Sequence, residues 1–449
     1  MSTAQVEPER RTRLPRRTRG ALVGASVGFF VDMFDIYLPV IVLAPAIIYF
    51  FPPSMPAGTQ ALLDGFVFAA ALLGRPIGAF IFGHFADKIG RRRMTVVALA
   101  GFGAATLLMG LLPGYEQWGM ASVLLFIVLR LVDGVFLGGE YSAASPLAME
   151  YAPKHKRGLY GGIIQAGYPL AFAVVSLITL VLLQVLPAEG MDSPYVQWGW
   201  RIPFFIAAAL AFGLALYYQR SVGESEVFRS SKQSGPSKSP LRLLFRGGNL
   251  RNFLQVFLLM TGFWMSLQPT SAILPGLLQK TIGLSGTEAT LTLVIAYVLI
   301  TISFPLLGSF SQRTGRRPFL LVTGAIVTVV APACYALLVA TRPGFAGTAV
   351  LVVVTTLLGI CCWAITTTYI NERFQTSVRA SGFGLGYSLA VIIPSFYGVY
   401  QAGLGSFMPV EYTGVPLMVI GGLLTLIGAA WGPETRDVDF RRDDVAVAH

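Results

Sequence analysis

Long apolar segments alternate with short polar connections along almost the whole chain. Each segment contains about the 20 mostly apolar residues that a helix needs to cross roughly 30 Å of hydrocarbon. The pattern therefore predicts an all-α integral membrane protein with twelve transmembrane helices. The segments lie at 21–50, 60–86, 94–113, 119–149, 158–186, 201–219, 252–279, 288–312, 318–340, 346–370, 380–404 and 412–431.

Composition supports the membrane assignment and excludes several other classes of protein. Of the 449 residues, 54% are hydrophobic and only 12% are charged, whereas soluble domains have about 25% charged residues. A soluble enzyme, a disordered chain and a nucleic-acid-binding module are thereby excluded. Cys334, Cys361 and Cys362 lie in apolar stretches without metal-ligand spacing, so we expect free thiols and no metal site.

The distribution of basic residues predicts the orientation of the chain. Six arginines precede the first apolar segment, and basic residues flanking a membrane span favour the cytoplasmic side. With the N-terminus inside, 28 of the 33 Lys and Arg residues fall on the cytoplasmic side, while Arg201, Lys280 and Arg342 fall on outward-facing ends. Twelve spans then place both termini in the cytoplasm.

An internal repeat divides the chain into two halves. The segment GHFADKIGRRR at 83–93 recurs as GSFSQRTGRR at 308–317, and residues 150–157, which begin with Glu and end with Arg, match 372–379. Both matches are separated by almost half of the chain length. This arrangement predicts two pseudo-symmetric six-helix bundles related by an axis along the membrane normal.

The repeat and the polar connections predict five regions. A linker rich in Ser, Gly and Pro separates the two bundles. The regions are a basic cytoplasmic arm at 1–20, an N-terminal bundle at 21–219, a cytoplasmic linker at 220–250, a C-terminal bundle at 251–432 and a cytoplasmic tail at 433–449.

The repeated segment resembles the signature loop between the second and third helices of the major facilitator superfamily. Further segments resemble its metabolite:proton symporter group: DMFD at 32–35, FFP at 50–52, RPIG at 75–78, RLVDGVFLGGEYSAA at 130–144, GWRIPF at 199–204 and NERFQTSVRASG at 371–382. The resemblance implies proton-driven uptake of a small, usually carboxylated metabolite. Transport of a zwitterion such as betaine or proline, or export on the same fold, remains open.

Several expectations accompany this resemblance. The chain is expected to be a transporter and not an enzyme, and to work as a multi-pass monomer in the inner (plasma) membrane. Its partners would be a small organic anion, protons and the lipid bilayer, with no nucleic acid. We expect no cofactor, the proton being the coupling ion.

Six charged residues lie within the spans, all in the N-terminal half. A charge at the bilayer centre costs at least about 2.5 to 3.5 kcal/mol, so their retention indicates a role. Four acids and two arginines leave an excess of two negative charges, so at least one acid should hold a proton near neutral pH. The proton-coupling candidates are Asp32, Asp35, Asp133 and Glu140, and the arginines are Arg75 and Arg130. Alternatively, the charges only pair with one another and orient the helices.

These charges suggest a coupling mechanism. Asp35, or Asp32 beside it, would take the proton and release an arginine that binds the substrate carboxylate. We favour Arg130 as the switching partner and Arg75 as the substrate contact, although the two roles stay open. The neutral residues predicted to complete the substrate site are Tyr37, Trp264, Gln268, Trp363 and Tyr387; the aromatic ones could instead serve packing alone.

A further group of charges lies at the cytoplasmic ends of the helices. In the resembled family these positions form an inner gate, closed when the site faces outward; alternatively they are solvated surface charges. The gate candidates are Asp87, Arg91, Glu150, Arg157, Glu372 and Arg379. Gln312 occupies the position that matches Asp87, which predicts a charged latch in the first half only. Gly134 and Gly138 are expected to allow close helix packing.

Overall fold

The computed structural model describes residues 16–51, 55, 57–89, 91–221, 240–376 and 378–440. Within these ranges, twelve helices are long and apolar enough to cross a membrane, which confirms the predicted span count. We name them α1 to α12: Thr18–Val42, Gly65–Phe82, Arg92–Leu111, Met120–Tyr151, Lys154–Val185, Tyr195–Ser221, Gly247–Lys280, Gly286–Thr314, Arg316–Thr341, Phe345–Glu372, Arg379–Leu404 and Val410–Trp431.

The packing partners of the helices repeat after six helices. In the N-terminal half α2 packs along α4, α3 along α6 and α1 along α5. In the C-terminal half α8 packs along α10, α9 along α12 and α7 along α11. The halves meet where α5 contacts α8 and where α2 contacts α11, two interfaces related by the same pseudo-symmetry. The predicted pair of six-helix bundles is therefore confirmed.

Both ends of the described chain lie on one face of the bundle, because the number of spans is even. We call it the termini face; it carries Arg16, where the first helix begins, and residues 432–440, which follow α12. Its cytoplasmic orientation remains a prediction from the basic residues. Most of the predicted basic arm, most of the linker and the end of the predicted tail lie outside the described residues.

Helices α2 and α4 approach each other backbone to backbone. A Cβ atom added to Gly134 would overlap the carbonyl oxygen of Ala71, and one added to Gly138 would overlap that of Arg75. Small residues at such positions are what allow membrane helices to touch. The two glycines thus behave as predicted. They bring Arg75 on α2 beside the charged stripe of α4, which is the helix face shared by Arg130, Asp133, Leu137 and Glu140.

A substitution at this contact should destabilise the fold. Gly138→Ala places a methyl group against rigid backbone, so we expect a loss of roughly 1–3 kcal/mol of unfolding free energy. Gly213→Ala is the matched control, because Gly213 is also helical and its added Cβ meets nothing within 4 Å. Thermal unfolding in detergent compares the two variants. Equal melting temperatures would contradict the backbone contact.

Candidate functional site

The embedded charges form two separate ion-pair groups. Arg75 Nη2 donates to Asp32 Oδ2 at 2.5 Å, and the two side chains are only 1% and 2% exposed. Arg130 Nη1 donates to Asp35 Oδ2 at 2.7 Å and to Asp133 Oδ2 at 3.0 Å. The structure thus brings five of the six predicted charges into contact, with different acids on each arginine.

Arg130 is enclosed within the N-terminal half. Its Nη2 atom donates to the carbonyl oxygen of Ile36 at 3.4 Å, and its side chain is completely buried. Asp35 also accepts a hydrogen bond from Thr106 Oγ1 at 2.8 Å. These residues lie on α1, α3 and α4, so this group ties three helices of one bundle together.

Arg75 faces the other half of the molecule. Its guanidinium carbon lies 5.7 Å from the centre of the Tyr387 ring on α11. Among the described residues, Nε and Nη1 of Arg75, Oδ1 of Asp32 and the Tyr387 hydroxyl are buried without a hydrogen-bond partner. Polar atoms able to bind a ligand therefore converge where the two halves meet.

Aromatic side chains of the C-terminal half lie where that half meets Arg75. The ring centres of Trp264 and Trp363 are 4.9 Å apart, and those of Trp264 and Tyr387 are 5.3 Å apart. Trp363 lies in the 3₁₀ segment Cys361–Ile365, which interrupts α10. Both indole N–H groups donate to backbone carbonyl oxygens, of Tyr387 and Phe263 respectively. The C-terminal half thus presents rings beside Arg75.

Gln268 and Tyr37, two of the predicted substrate residues, make contacts outside this aromatic cluster. Gln268 Nε2 donates to the carbonyl oxygen of Pro394 at 3.1 Å, so its amide joins α7 to the α11 backbone. The Tyr37 ring packs 4.9 Å from that of Phe172 on α5, and Phe172 in turn stacks on Tyr297 of α8 at 3.8 Å. Tyr37 therefore belongs to a second aromatic contact between the halves.

Tyr141 is a site residue that the sequence reasoning missed. Its hydroxyl donates to Gln165 Oε1 at 3.0 Å and lies 3.3 Å from Thr367 Oγ1 in the other half. Its ring centre is 5.0 Å from that of Tyr387. Tyr141 follows Arg130 by three helical turns at 3.6 residues per turn, so the stripe on α4 contained the signal.

Glu140 has surroundings unlike those of the other acids. Neither of its carboxyl oxygens has a hydrogen-bond partner in the part of the chain that the structure describes, and a Cβ atom added to Gly28 would overlap Oε1. Burial without a partner favours the neutral, protonated form of a carboxyl group. The gap beside it is too narrow to hold a water molecule; it is lined by Gly28, Asp32, Ala98, Leu99, Phe102, Phe136, Leu137 and Glu140.

The two halves close on each other at the termini face. Arg379 Nη1 donates to Glu150 Oε1 at 2.7 Å across the interface, and the backbone N–H of Gly158 donates to Gln312 Oε1 at 3.1 Å. A Cβ atom on Gly158 would overlap the carbonyl oxygen of Gly308. The Asp32–Arg75 pair is therefore covered on this side.

The ion pairs at this face differ in detail from the sequence pattern. Glu372 pairs with Arg316 at 3.3 Å, while Arg157 donates to the carbonyl oxygen of Val438 at 2.7 Å. Gln312 itself accepts from Arg316 Nη2 at 2.6 Å. Because Gln312 stands where the first half has Asp87, the sequence predicted no charged latch in the C-terminal half. The structure nevertheless has a charged pair there, since Arg316 at the start of α9 reaches Glu372. The side chains of Asp87 and Arg91 lie outside the described part of the structure.

The segment after α12 joins both halves at the same face. The Phe440 ring lies against the guanidinium groups of Arg157, at 3.6 Å, and Arg379, at 4.0 Å. Glu434 accepts hydrogen bonds from the backbone N–H groups of Arg316 and Arg317. The sequence predicted only a tail here, since no periodicity marks these contacts.

Neutralising Glu140 should leave the stability nearly unchanged. We expect Glu140 to be protonated, so Glu140→Gln should exchange one neutral group for another of the same shape and leave the melting temperature close to that of the unmodified chain. Glu372→Gln is the comparison, because it breaks a buried ion pair and should cost roughly 3 kcal/mol. A loss at Glu140→Gln as large as at Glu372→Gln would show that Glu140 is ionised.

Removing the Phe440 ring should open the termini face more often. Each cation–π contact contributes about 0.5–2 kcal/mol, so Phe440→Ala should shift the distance distribution between spin labels at His155 and Arg313 to longer values. The labels are placed in a background without the three native cysteines. Phe407→Ala is the control, since Phe407 is 75% exposed. Identical distributions for both variants would contradict the role of Phe440.

Three relatives show what kind of protein this chain resembles, all from Escherichia coli (strain K12). The inner membrane metabolite transport protein YhjE is 32% identical over 440 residues, which cover 92% of this chain and 94% of the relative. The alpha-ketoglutarate permease is 31% identical and covers 84% of each chain. The proline/betaine transporter is 26% identical, covering 91% of this chain and 83% of its own.

A solved structure and a family sequence model agree with these relatives. The xylose transporter XylE from E. coli, in a partially occluded inward open conformation, superposes with a TM-score of 0.69 at 18% identity, covering 94% of this chain and 99% of its own. The sequence model of the Major Facilitator Superfamily matches residues 25–398 and, in a second match, 265–439. The chain belongs to the Major Facilitator Superfamily, and it is a secondary transporter of metabolites rather than an enzyme.

Proposed function

We propose that this chain is a proton-coupled symporter that takes up a small organic anion by alternating access. It would act in the inner membrane, with the termini face toward the cytoplasm. The buried Asp32–Arg75 pair carries this proposal, because it places one acid and one base at the contact between the halves. The name of the alpha-ketoglutarate permease supports an organic anion as the substrate.

The pair couples the two ligands through the cost of an unpaired buried charge. Removing one partner of a buried ion pair costs about 3–5 kcal/mol. A proton on Asp32 alone would leave Arg75 unpaired, and an anion on Arg75 alone would face the charged Asp32. When both bind, the substrate carboxylate replaces Asp32 as the partner of Arg75. Each ligand therefore strengthens the binding of the other.

The free atoms of Arg75 suit this exchange. Nη2 holds Asp32, while Nε and Nη1 have no partner among the residues described. A guanidinium group presents its N–H donors in a planar fork that matches the two oxygens of a carboxylate. Arg75 can thus receive a substrate before it releases Asp32. After both ligands leave, the reformed ion pair allows the empty carrier to reorient.

The geometry favours Asp32 and Arg75 over Asp35 and Arg130 as the switching pair. Both arginines pair with acids of their own half, but Arg75 also lies beside the Tyr387 ring of the other half, whereas the hydrogen bonds of Arg130 in the described structure stay within its own half. Exchange of a partner on Arg130 would therefore not sense the other half. We therefore assign Arg130 and its two acids to holding α1 and α4 together. The sequence left open which arginine switches partners and which one contacts the substrate. With this choice, Arg75 does both.

The closed termini face supports alternating access. Contacts such as Glu150–Arg379 and Gly158–Gln312 join residues of opposite halves, so they must separate before a ligand can leave on that side.

Symport of a zwitterion is a second candidate, since one relative is a proline/betaine transporter and Tyr387 offers a ring beside Arg75.

Substitution of Asp32 tests the coupling. Asp32→Asn imitates the protonated acid, so it should abolish accumulation driven by a pH gradient while exchange across the membrane continues. Proteoliposomes with an alkaline interior measure both activities, with labelled shikimate, a monocarboxylate, and labelled alpha-ketoglutarate, a dicarboxylate, as separate probes. The variants are compared with the probe that the unmodified chain accumulates. Asp192→Asn, at an exposed loop acid, is the control and should accumulate the probe normally. Undiminished accumulation by Asp32→Asn would refute the assignment.

A further inference from the structure

We infer that the site binds its substrate through one carboxylate and is selective for monocarboxylates over dicarboxylates and zwitterions. This inference rests on the proposed function and defines the substrate class of the same site. It follows from the number of guanidinium groups that reach the interface, from the chemistry of the facing rings and from the state of Asp32 during transport.

Only one of the two embedded arginines can meet a ligand. Arg130 gives Nη1 to two carboxylates and Nη2 to the Ile36 carbonyl oxygen, and its side chain is 0% exposed. A substrate that reached it would have to displace Asp35 or Asp133 inside the N-terminal bundle. Nε of Arg130 has no partner among the described residues, but the hydrogen bonds that this side chain makes there all lie within its own half. Arg75, in contrast, lies beside the other half with two such nitrogens in the described structure. One guanidinium group binds one carboxylate.

In the described part of the facing half, the indole and amide groups predicted for the site already donate to backbone carbonyl oxygens. The indole N–H groups of Trp264 and Trp363 are donated to backbone carbonyl oxygens, and Gln268 donates to Pro394. A second ionised carboxylate would be buried against these rings without compensation, which is strongly unfavourable. The hydroxyl of Tyr387 is the exception: within the described residues it has no partner, so it can donate to the carboxylate held by Arg75.

The same surroundings disfavour a zwitterion. Asp32 is the acid paired with Arg75, and it is neutral while the proton travels with the substrate, so it cannot then balance an ammonium group. The rings do not form an open cage either. Trp264, Trp363 and Tyr387 pack edge to face against one another, with interplanar angles of 71° to 84°. These ring faces suit a substrate whose part beyond the carboxylate is uncharged and either apolar or hydroxylated.

Matched pairs of small acids test this selectivity on the full-length chain in detergent. Each pair keeps the body and changes the charge: monomethyl glutarate against glutarate, benzoate against phthalate, and 3,3-dimethylbutanoate against glycine betaine. Shikimate adds a hydroxylated ring. Binding is measured by calorimetry at pH 7.5, where both carboxyl groups of the diacids are ionised. We expect the monoanion of each pair that binds to do so at least tenfold more tightly than its partner.

Two tyrosine variants show whether the hydroxyl beside Arg75 contributes. Tyr387→Phe keeps the ring and should weaken binding of the best monocarboxylate about tenfold, as expected for a hydrogen bond to a charged group. Tyr335→Phe is the matched control, because Tyr335 is also a buried tyrosine whose hydroxyl has no partner in the described chain. It should bind as the unmodified protein does. Equal affinities for the two variants would remove Tyr387 from the site.

The outcomes separate this inference from the proposed function. Tighter binding of glutarate, phthalate or glycine betaine than of the matched monoanion would overturn the monocarboxylate selectivity, while proton-driven accumulation of that compound would leave symport intact. Binding of no acid in the panel, together with no accumulation of any of them in a pH gradient, would overturn both.

Discussion

The cost of keeping a charge in the membrane is the constraint on which this structure depends. Asp32 and Arg75 are almost fully buried and hold each other at 2.5 Å. Each is tolerable only while its charge is balanced or removed. Two arrangements meet this condition: the ion pair itself, and a protonated acid beside an arginine that holds an anion. A carrier limited to these two states moves both ligands or neither.

Packing within the N-terminal half supports this pair. The absence of side chains at Gly134 and Gly138 lets α4 touch α2, and the enclosed Arg130 fixes α1 against α4 through Asp35 and Asp133. The charged residues therefore sit on a stiff bundle. The C-terminal half contributes neutral aromatic residues to the contact with Arg75, an arrangement that fits two halves rocking about a central site.

Much of the fold was predictable from the sequence, because span length and repeated motifs depend on local properties of the chain. The embedded acids and arginines were also found this way, since a charge in an apolar span is conspicuous. Which arginine takes which acid was not predictable: Asp32 and Asp35 lie one helical turn apart, and the direction of each depends on tertiary packing. Tyr141 and Phe440 were missed for a related reason. Tyr141 shares the helix face of Arg130, but an aromatic residue in an apolar span does not stand out as a charge does, and Phe440 in a short tail has no periodicity that marks its contacts.

Counting the protons taken up when a ligand binds tests the coupling most directly. Calorimetric titration of the purified chain with its tightest-binding monocarboxylate, repeated in buffers of different ionisation enthalpy, gives the number of protons bound with each anion. Exchange of Asp32 for the substrate on Arg75 predicts one proton per anion at a pH where Asp32 is otherwise ionised. Binding of the anion with no proton uptake at any pH would contradict it.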